Sequence, residues 1–309
     1  MAVKPRKKKY KRALVLSGGG ARGAYQVGVW KFLLEMGWKP DLICGTSVGA
    51  INATAIGSGM NLGELINIWK TLEHGSIYRI SLLKQLLSIF TRRNLQPIMD
   101  TEPFKRFLQE KFHIDEIRNS EIEIVITAVN ILTSQLKFFN NEVIDVEHIM
   151  ASSAIPILFP WQYVDGVPHW DGGVMMNTPI LPALERGASE IIVVLLSPVG
   201  GSRLGVPRTR RQAFEHVFEQ QLIGSYESFM AHLNWAYKQK SNRGFFPSLT
   251  QRSWDFEGVR LATIAPDHML GFTSIMNFSA RQADRLIHEG FTDARNQLSE
   301  FFDLEDDPY

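Results

Sequence analysis

Cysteine is nearly absent: Cys44 stands alone in 309 residues, so no disulfide can form within the chain, which suits a reducing compartment. An excess of one charge is missing too. Lys and Arg number 33 against 32 Asp and Glu, a formal net charge of +1, and this argues against a general nucleic-acid binder. No apolar run approaches the roughly 18 residues that a membrane span requires. Gly18 to Gly20 interrupts the only apolar stretch near the N-terminus, so no signal peptide is expected there. His, Cys, Asp and Glu nowhere gather at ligand spacing, so neither a metal nor another cofactor is expected. These absences leave a cytoplasmic protein that touches membranes peripherally if at all. What is present, 45% hydrophobic and 11% aromatic residues, is enough for a sizeable packed core.

The most informative segment is Gly45-Thr46-Ser47-Val48-Gly49. Apolar Leu42-Ile43-Cys44 before it reads as a buried strand, and the small-residue run Ala50 to Ala55 after it as a tightly packed helix. A serine on a sharp strand-to-helix turn is pushed out of the sheet, and the flanking glycines Gly45 and Gly49 permit the crowding. The helix start directs unpaired amides and a positive dipole end toward Ser47, which favours an oxyanion.

A second glycine-rich turn, Ser17-Gly18-Gly19-Gly20-Ala21-Arg22-Gly23, follows the apolar stretch Ala13 to Leu16 and opens a helix. Backbone N–H groups of Gly18, Gly19 and Gly20 can converge on one point, as an oxyanion hole requires, and Arg22 adds a positive charge beside them. Gly18, Gly20 and Gly23 also fit G-x-G-x-x-G. That dinucleotide fingerprint needs an acid at the end of the second strand, yet Asp41 precedes that strand and Ser47 follows it.

A serine nucleophile needs a base. None of the eight histidines sits in a glycine-flanked loop after an apolar strand; His169 is the nearest to a conspicuous carboxylate. That carboxylate is Asp171, in Asp171-Gly172-Gly173, delivered by a short hairpin turning at Asp165-Gly166. A partly desolvated carboxylate within reach of the hydroxyl can serve as general base.

Together these three motifs resemble the patatin-like phospholipase family: Gly18 to Gly23, Ser47 within Gly45 to Gly49, and Asp171-Gly172-Gly173, in that order. Ala151 to Pro156 and Asn177-Thr178-Pro179 extend the similarity. The resemblance implies a Ser47–Asp171 dyad without histidine that cleaves acyl esters of lipids, phospholipids or lysophospholipids, through an acyl-enzyme. It leaves an acyltransferase with the same dyad, or a non-enzymatic lipid-binding protein, as alternatives. Ser17 stands where plant-type members often carry aspartate.

Strands are expected at 12–17, 41–45, 122–130, 135–139, 190–196 and 258–264. Helices are expected at 22–36, 48–58, 62–73, 102–111, 145–152, 179–187, 210–239 and 279–300, with Thr101 and Thr178 as caps ahead of a proline. The alternation predicts an α/β fold of three layers, a mostly parallel central sheet flanked by helices. One catalytic domain over 13–300 is expected between a basic tail (1–12) and an acidic one (301–309). Residues 1–12 carry seven Lys or Arg and no acid, and 74–99 form an acid-free amphipathic segment. Either is a candidate for peripheral membrane contact, 74–99 as a lid or interfacial helix. Residues 200–253 read as a helical insertion or cap.

Overall fold

The computed structural model describes residues 12–72, 79–80, 99–200, 205–240, 253–256 and 258–302. The basic tail up to residue 11, nearly all of the 74–99 segment, residues 201–204 and 241–252, and the acidic tail from 303 lie outside the described residues.

Among them runs a sheet of nine strands. Six follow one another across it: β10 (Ser253–Phe256), β11 (Val259–Ile264), β9 (Glu190–Val194), β1 (Arg12–Leu16), β2 (Leu42–Thr46) and β5 (Glu123–Asn130). From β11 to β5 every pairing is parallel. β6 (Gln135–Asn140), the hairpin β7 (Gln162–Val164) with β8 (Val167–Asp171), and β10 add antiparallel edges. A separate two-stranded ribbon joins β3 (Arg79–Ile80) to β4 (Met99–Asp100). The helices are α1 (Ala24–Glu35), α2 (Val48–Gly57), α3 (Leu62–Thr71), α4 (Glu102–Lys111), α5 (Ile114–Arg118), α6 (Val146–Ser152), α7 (Leu181–Glu185), α8 (Arg210–Lys240) and α9 (Ala280–Gln297).

Alternation within the strands divides the interior in two. Leu14, Leu16, Ile43, Ile124, Ile126, Ile192 and Val194 pack with α1, α2, α3 and α9 on one face. Their neighbours Ala13, Val15, Leu42, Cys44, Val125, Ile191 and Val193 pack with Ala183 of α7 and Tyr226 and Met230 of α8 on the other. A sheet buried on both faces needs apolar residues at every position, which is why these strands read as unbroken apolar runs. The fold is therefore the expected three-layer α/β arrangement.

Strand and helix ends fall within a few residues of expectation, with two differences. Thr178 does not cap a helix: its amide donates to Ser225 Oγ at 3.1 Å, and α7 starts later, with Pro182 in its first turn. Thr101 precedes α4 without a side-chain cap; Asp100 Oδ1 accepts from the Glu102 amide instead, at 3.1 Å.

α1 and α9 cross at glycines. A Cβ on Gly28 would lie 2.0 Å from the Ile287 carbonyl oxygen, and one on Gly290 would lie 2.1 Å from that of Tyr25. The crossing is sealed by Tyr25 OH donating to Asp293 at 2.8 Å, and burial with the neighbouring carboxylate raises the phenol pKa well above its usual value. Because the obstructing atoms are backbone, neither side can yield by a rotamer change. Gly28→Ala or Gly290→Ala is expected to cost about 1–3 kcal/mol, measured as a lowered urea midpoint.

Candidate active site

Ser47 occupies the turn between β2 and α2 with φ 57° and ψ −126°, a backbone state rare for a non-glycine residue. The turn closes this tightly because its glycines lack side chains. A Cβ on Gly45 would stand 2.2 Å from the Gly49 carbonyl oxygen, and one on Gly49 would stand 2.2 Å from that of Leu16. Ser152 Oγ accepts the Ser47 amide at 3.1 Å and ties the turn to the end of α6.

Register explains how Asp171, so distant in sequence, reaches this serine. Residues 125–127 of β5 pair with both β2 and β6, and residues 128–130 with both β6 and β8. A strand has two edges, so β2 and β8 share the edge opposite β6. Thr46↔Thr127 is the last pair of β2, and Ala128↔Asp171 is the next along the same edge. The two strands thus end nose to nose, with Ser47 leaving one and Asp171 closing the other. The hairpin that sets this register turns at Asp165 (φ 51°) and Gly166 (φ 74°), both left-handed, as a two-residue primed turn demands.

The Asp171 carboxyl faces the Ser47 hydroxyl, which favours its ionised form, and the Gly173 amide donates to Asp171 Oδ1 at 2.7 Å. Burial outweighs both of these influences and pushes the carboxyl pKa up to about 7. A carboxylate at that value accepts a proton readily yet is still ionised in part at neutral pH.

The glycine-rich turn lies against this pair, but its donors are not the expected set. Gly18 N–H is spent on the Asn177 carbonyl at 3.1 Å, and a Cβ on Gly18 would lie 2.3 Å from Asn177 Oδ1 and 3.0 Å from Ser47 Cβ. Gly18 is therefore a close-packing position rather than a free donor. Gly19 and Gly20 line the same cavity as Ser47 and Asp171, and their amides have no acceptor among the described residues.

Arg22 corrects the sequence reading further. Its guanidinium is fully buried, paired bidentately with Glu219 of α8, and donates to Ser274 Oγ, Ser197 Oγ and the Leu196 and Gly271 carbonyls. It does not line the cavity around Ser47. With its charge matched by Glu219, it clamps the glycine turn to α8 instead of offering a charge to an oxyanion. Arg22→Met should leave Glu219 buried without its counter-charge and cost about 3–5 kcal/mol, whereas Arg22→Met with Glu219→Leu should recover much of the loss in a thermal melt.

Sequence reasoning missed Asn177, whose side-chain amide joins the Gly18 and Leu222 carbonyls, and Glu219 and Gln221, which fasten α8 over the site. Asn177 had a signal in Asn177-Thr178-Pro179; Glu219 had none. No histidine among the described residues lines either cavity that meets Ser47, and His169 is buried with its ring on the Val167 carbonyl. Cys44 is no rival nucleophile: burial pushes its thiol up to about 12.

Comparison with known proteins bears on the family of the chain. A cGAMP-activated phospholipase of Pseudomonas aeruginosa is 32% identical over 194 residues, covering 56% of this chain and 55% of that protein. Lysophospholipase NTE1 of Cryptococcus neoformans is 31% identical over 183 residues, covering 59% of this chain and 11% of that one. The chain thus spans about half the length of the first and a small part of the second. Among solved structures, human GIVD cytosolic phospholipase A2 aligns with 98% of this chain and 59% of its own, at 11% identity and a TM-score of 0.48. The family model described as patatin-like phospholipase matches residues 14–184, more than half of the sequence, and the chain belongs to that family.

Proposed function

We propose that this protein is a serine lipid acyl hydrolase, with Ser47 as nucleophile, Asp171 as base and the Gly19 and Gly20 amides as oxyanion donors. The observation that carries the reading is the meeting of Ser47 and Asp171 on one apolar cavity, where burial raises the carboxyl to about 7. The names of the relatives, phospholipase and lysophospholipase, support a fatty acyl ester as substrate.

In the first step Asp171 takes the Ser47 hydroxyl proton as Oγ bonds to the ester carbonyl carbon. The carbonyl oxygen becomes an oxyanion held by the amides. The carbon–oxygen bond to the alcohol then breaks, and Asp171 returns its proton to the departing oxygen. Water repeats the sequence on the acyl-enzyme and releases the fatty acid. No helix among the described residues is long and apolar enough to cross a membrane.

A fluorophosphonate probe should label Ser47 in the native protein, identified by peptide mass spectrometry, and fatty acid should be released from phospholipid or lysophospholipid. Labelling elsewhere, with Ser47 unmodified, would reject the assignment.

A further inference from the structure

Among the described residues two apolar cavities meet at Ser47. Both are lined by Gly20, Ser47 and Ile155, which form a neck between them. The narrow one, about 60 Å³, runs toward Trp69, Leu72, Phe104 and Phe112. Beyond the neck its polar lining is Asn52, whose amide is satisfied by Gly23, Gln26 and Trp69, and Ser153. The wide one, about 430 Å³, runs beneath α8 past Leu158, Phe218, Leu222 and Ile275. Its mouth carries Ile157, Val174 and Phe214, which are 68%, 41% and 60% exposed.

Proton return decides which part of an ester enters which cavity. A tetrahedral intermediate on Ser47 Oγ carries the oxyanion, the leaving oxygen and the acyl chain in three different directions. The base that took the serine proton must give it back to the leaving oxygen, so the alcohol lies on the side of the base. Asp171 lines the wide cavity and not the narrow one. The acyl chain being transferred therefore enters the narrow cavity, and the alcohol portion occupies the wide one.

The walls of the wide cavity then describe that alcohol. Asn177 and Gln221, its polar members besides Ser47 and Asp171, spend their side-chain amides on backbone carbonyls. No Lys or Arg is among the described residues lining it. A small polar alcohol would leave this apolar surface wet or empty. Resting on the reaction proposed above, we infer that the preferred substrate is a two-chain lipid, whose alcohol carries a second acyl chain into the cavity under α8, rather than a single-chain lysolipid.

The test uses soluble short-chain substrates below their micelle concentration, so that both chains come from water. For dihexanoyl-phosphatidylcholine against hexanoyl-lysophosphatidylcholine, kcat/KM should favour the diacyl ester by roughly tenfold or more, the effect of burying about two methylene groups. Leu158→Asp and, separately, Val174→Trp should pull that ratio toward one. Val174 is half exposed, which keeps the second variant foldable. Ester cleavage with a ratio at or below one, or a ratio unmoved in both variants, overturns the two-chain preference and leaves the hydrolase reading standing. Absence of cleavage of every ester tested, including p-nitrophenyl butyrate, overturns both.

Discussion

Replacing Ser47 by alanine is expected to lower ester turnover by roughly 10⁴-fold or more, the scale on which removal of a serine nucleophile acts. Alanine keeps the Cβ, so the left-handed turn and its contact with Gly18 persist, and thermal stability should stay within about 0.5 kcal/mol of the parent. No neighbouring group can take over. Cys44 is protonated at neutral pH, and no described histidine lines the cavity. Kinetics on p-nitrophenyl butyrate with a melting curve on the same preparation checks both halves of the expectation. Retained turnover in a folded Ser47→Ala protein would remove the nucleophile from the proposal.

The sheet and the serine turn were legible because their causes are local. β1, β2, β5 and β9 are buried on both faces, so their apolar runs announce them, and Gly45 and Gly49 stand where backbone oxygens leave no room for a Cβ. Asp165-Gly166 foretold its hairpin for the same reason. Arg22 was misread because its partner is 197 residues away, and no pattern near Gly18 to Gly23 encodes Glu219. The commitment of Gly18 N–H to Asn177 is likewise a contact between distant segments. Short elements such as α5 and the β3–β4 ribbon carry too few residues for a periodic signal. The meeting of β2 and β8 on one edge of β5 depends on register, which sequence spacing does not disclose. The two cavities draw their walls from α2, α3, α4, α8 and the loop around Ile157, so their division at Ser47 belongs wholly to the fold.

Asp171→Asn should uncouple activity from stability in opposite directions. Turnover should fall by roughly 10⁴-fold, as when a carboxylate partner in a serine hydrolase is replaced by its amide, because Asn cannot take the Ser47 proton. In the parent, kcat/KM should rise with pH through an apparent pKa of about 7, since only the ionised Asp171 accepts that proton, and this limb should vanish from the residual activity of the variant. Stability moves the other way. The carboxyl pKa is raised on folding from its ordinary 3.8 to about 7, so the folded state holds the proton more tightly than the unfolded chain. Such a group favours folding below pH 4, and that contribution is lost as pH rises from 4 through 7. Above pH 7 the parent keeps a desolvated charge that the isosteric amide lacks, while Asn can still accept from Gly173. At about 1.4 kcal/mol per pKa unit, the advantage of the variant at pH 8 is bounded at about 4 kcal/mol and should shrink to nothing near pH 4. Paired melting curves at the two pH values test this. A variant that melts below the parent at pH 8 would show that Asp171 is held for its structural bonds, and the burial that raises its basicity would then have no catalytic meaning.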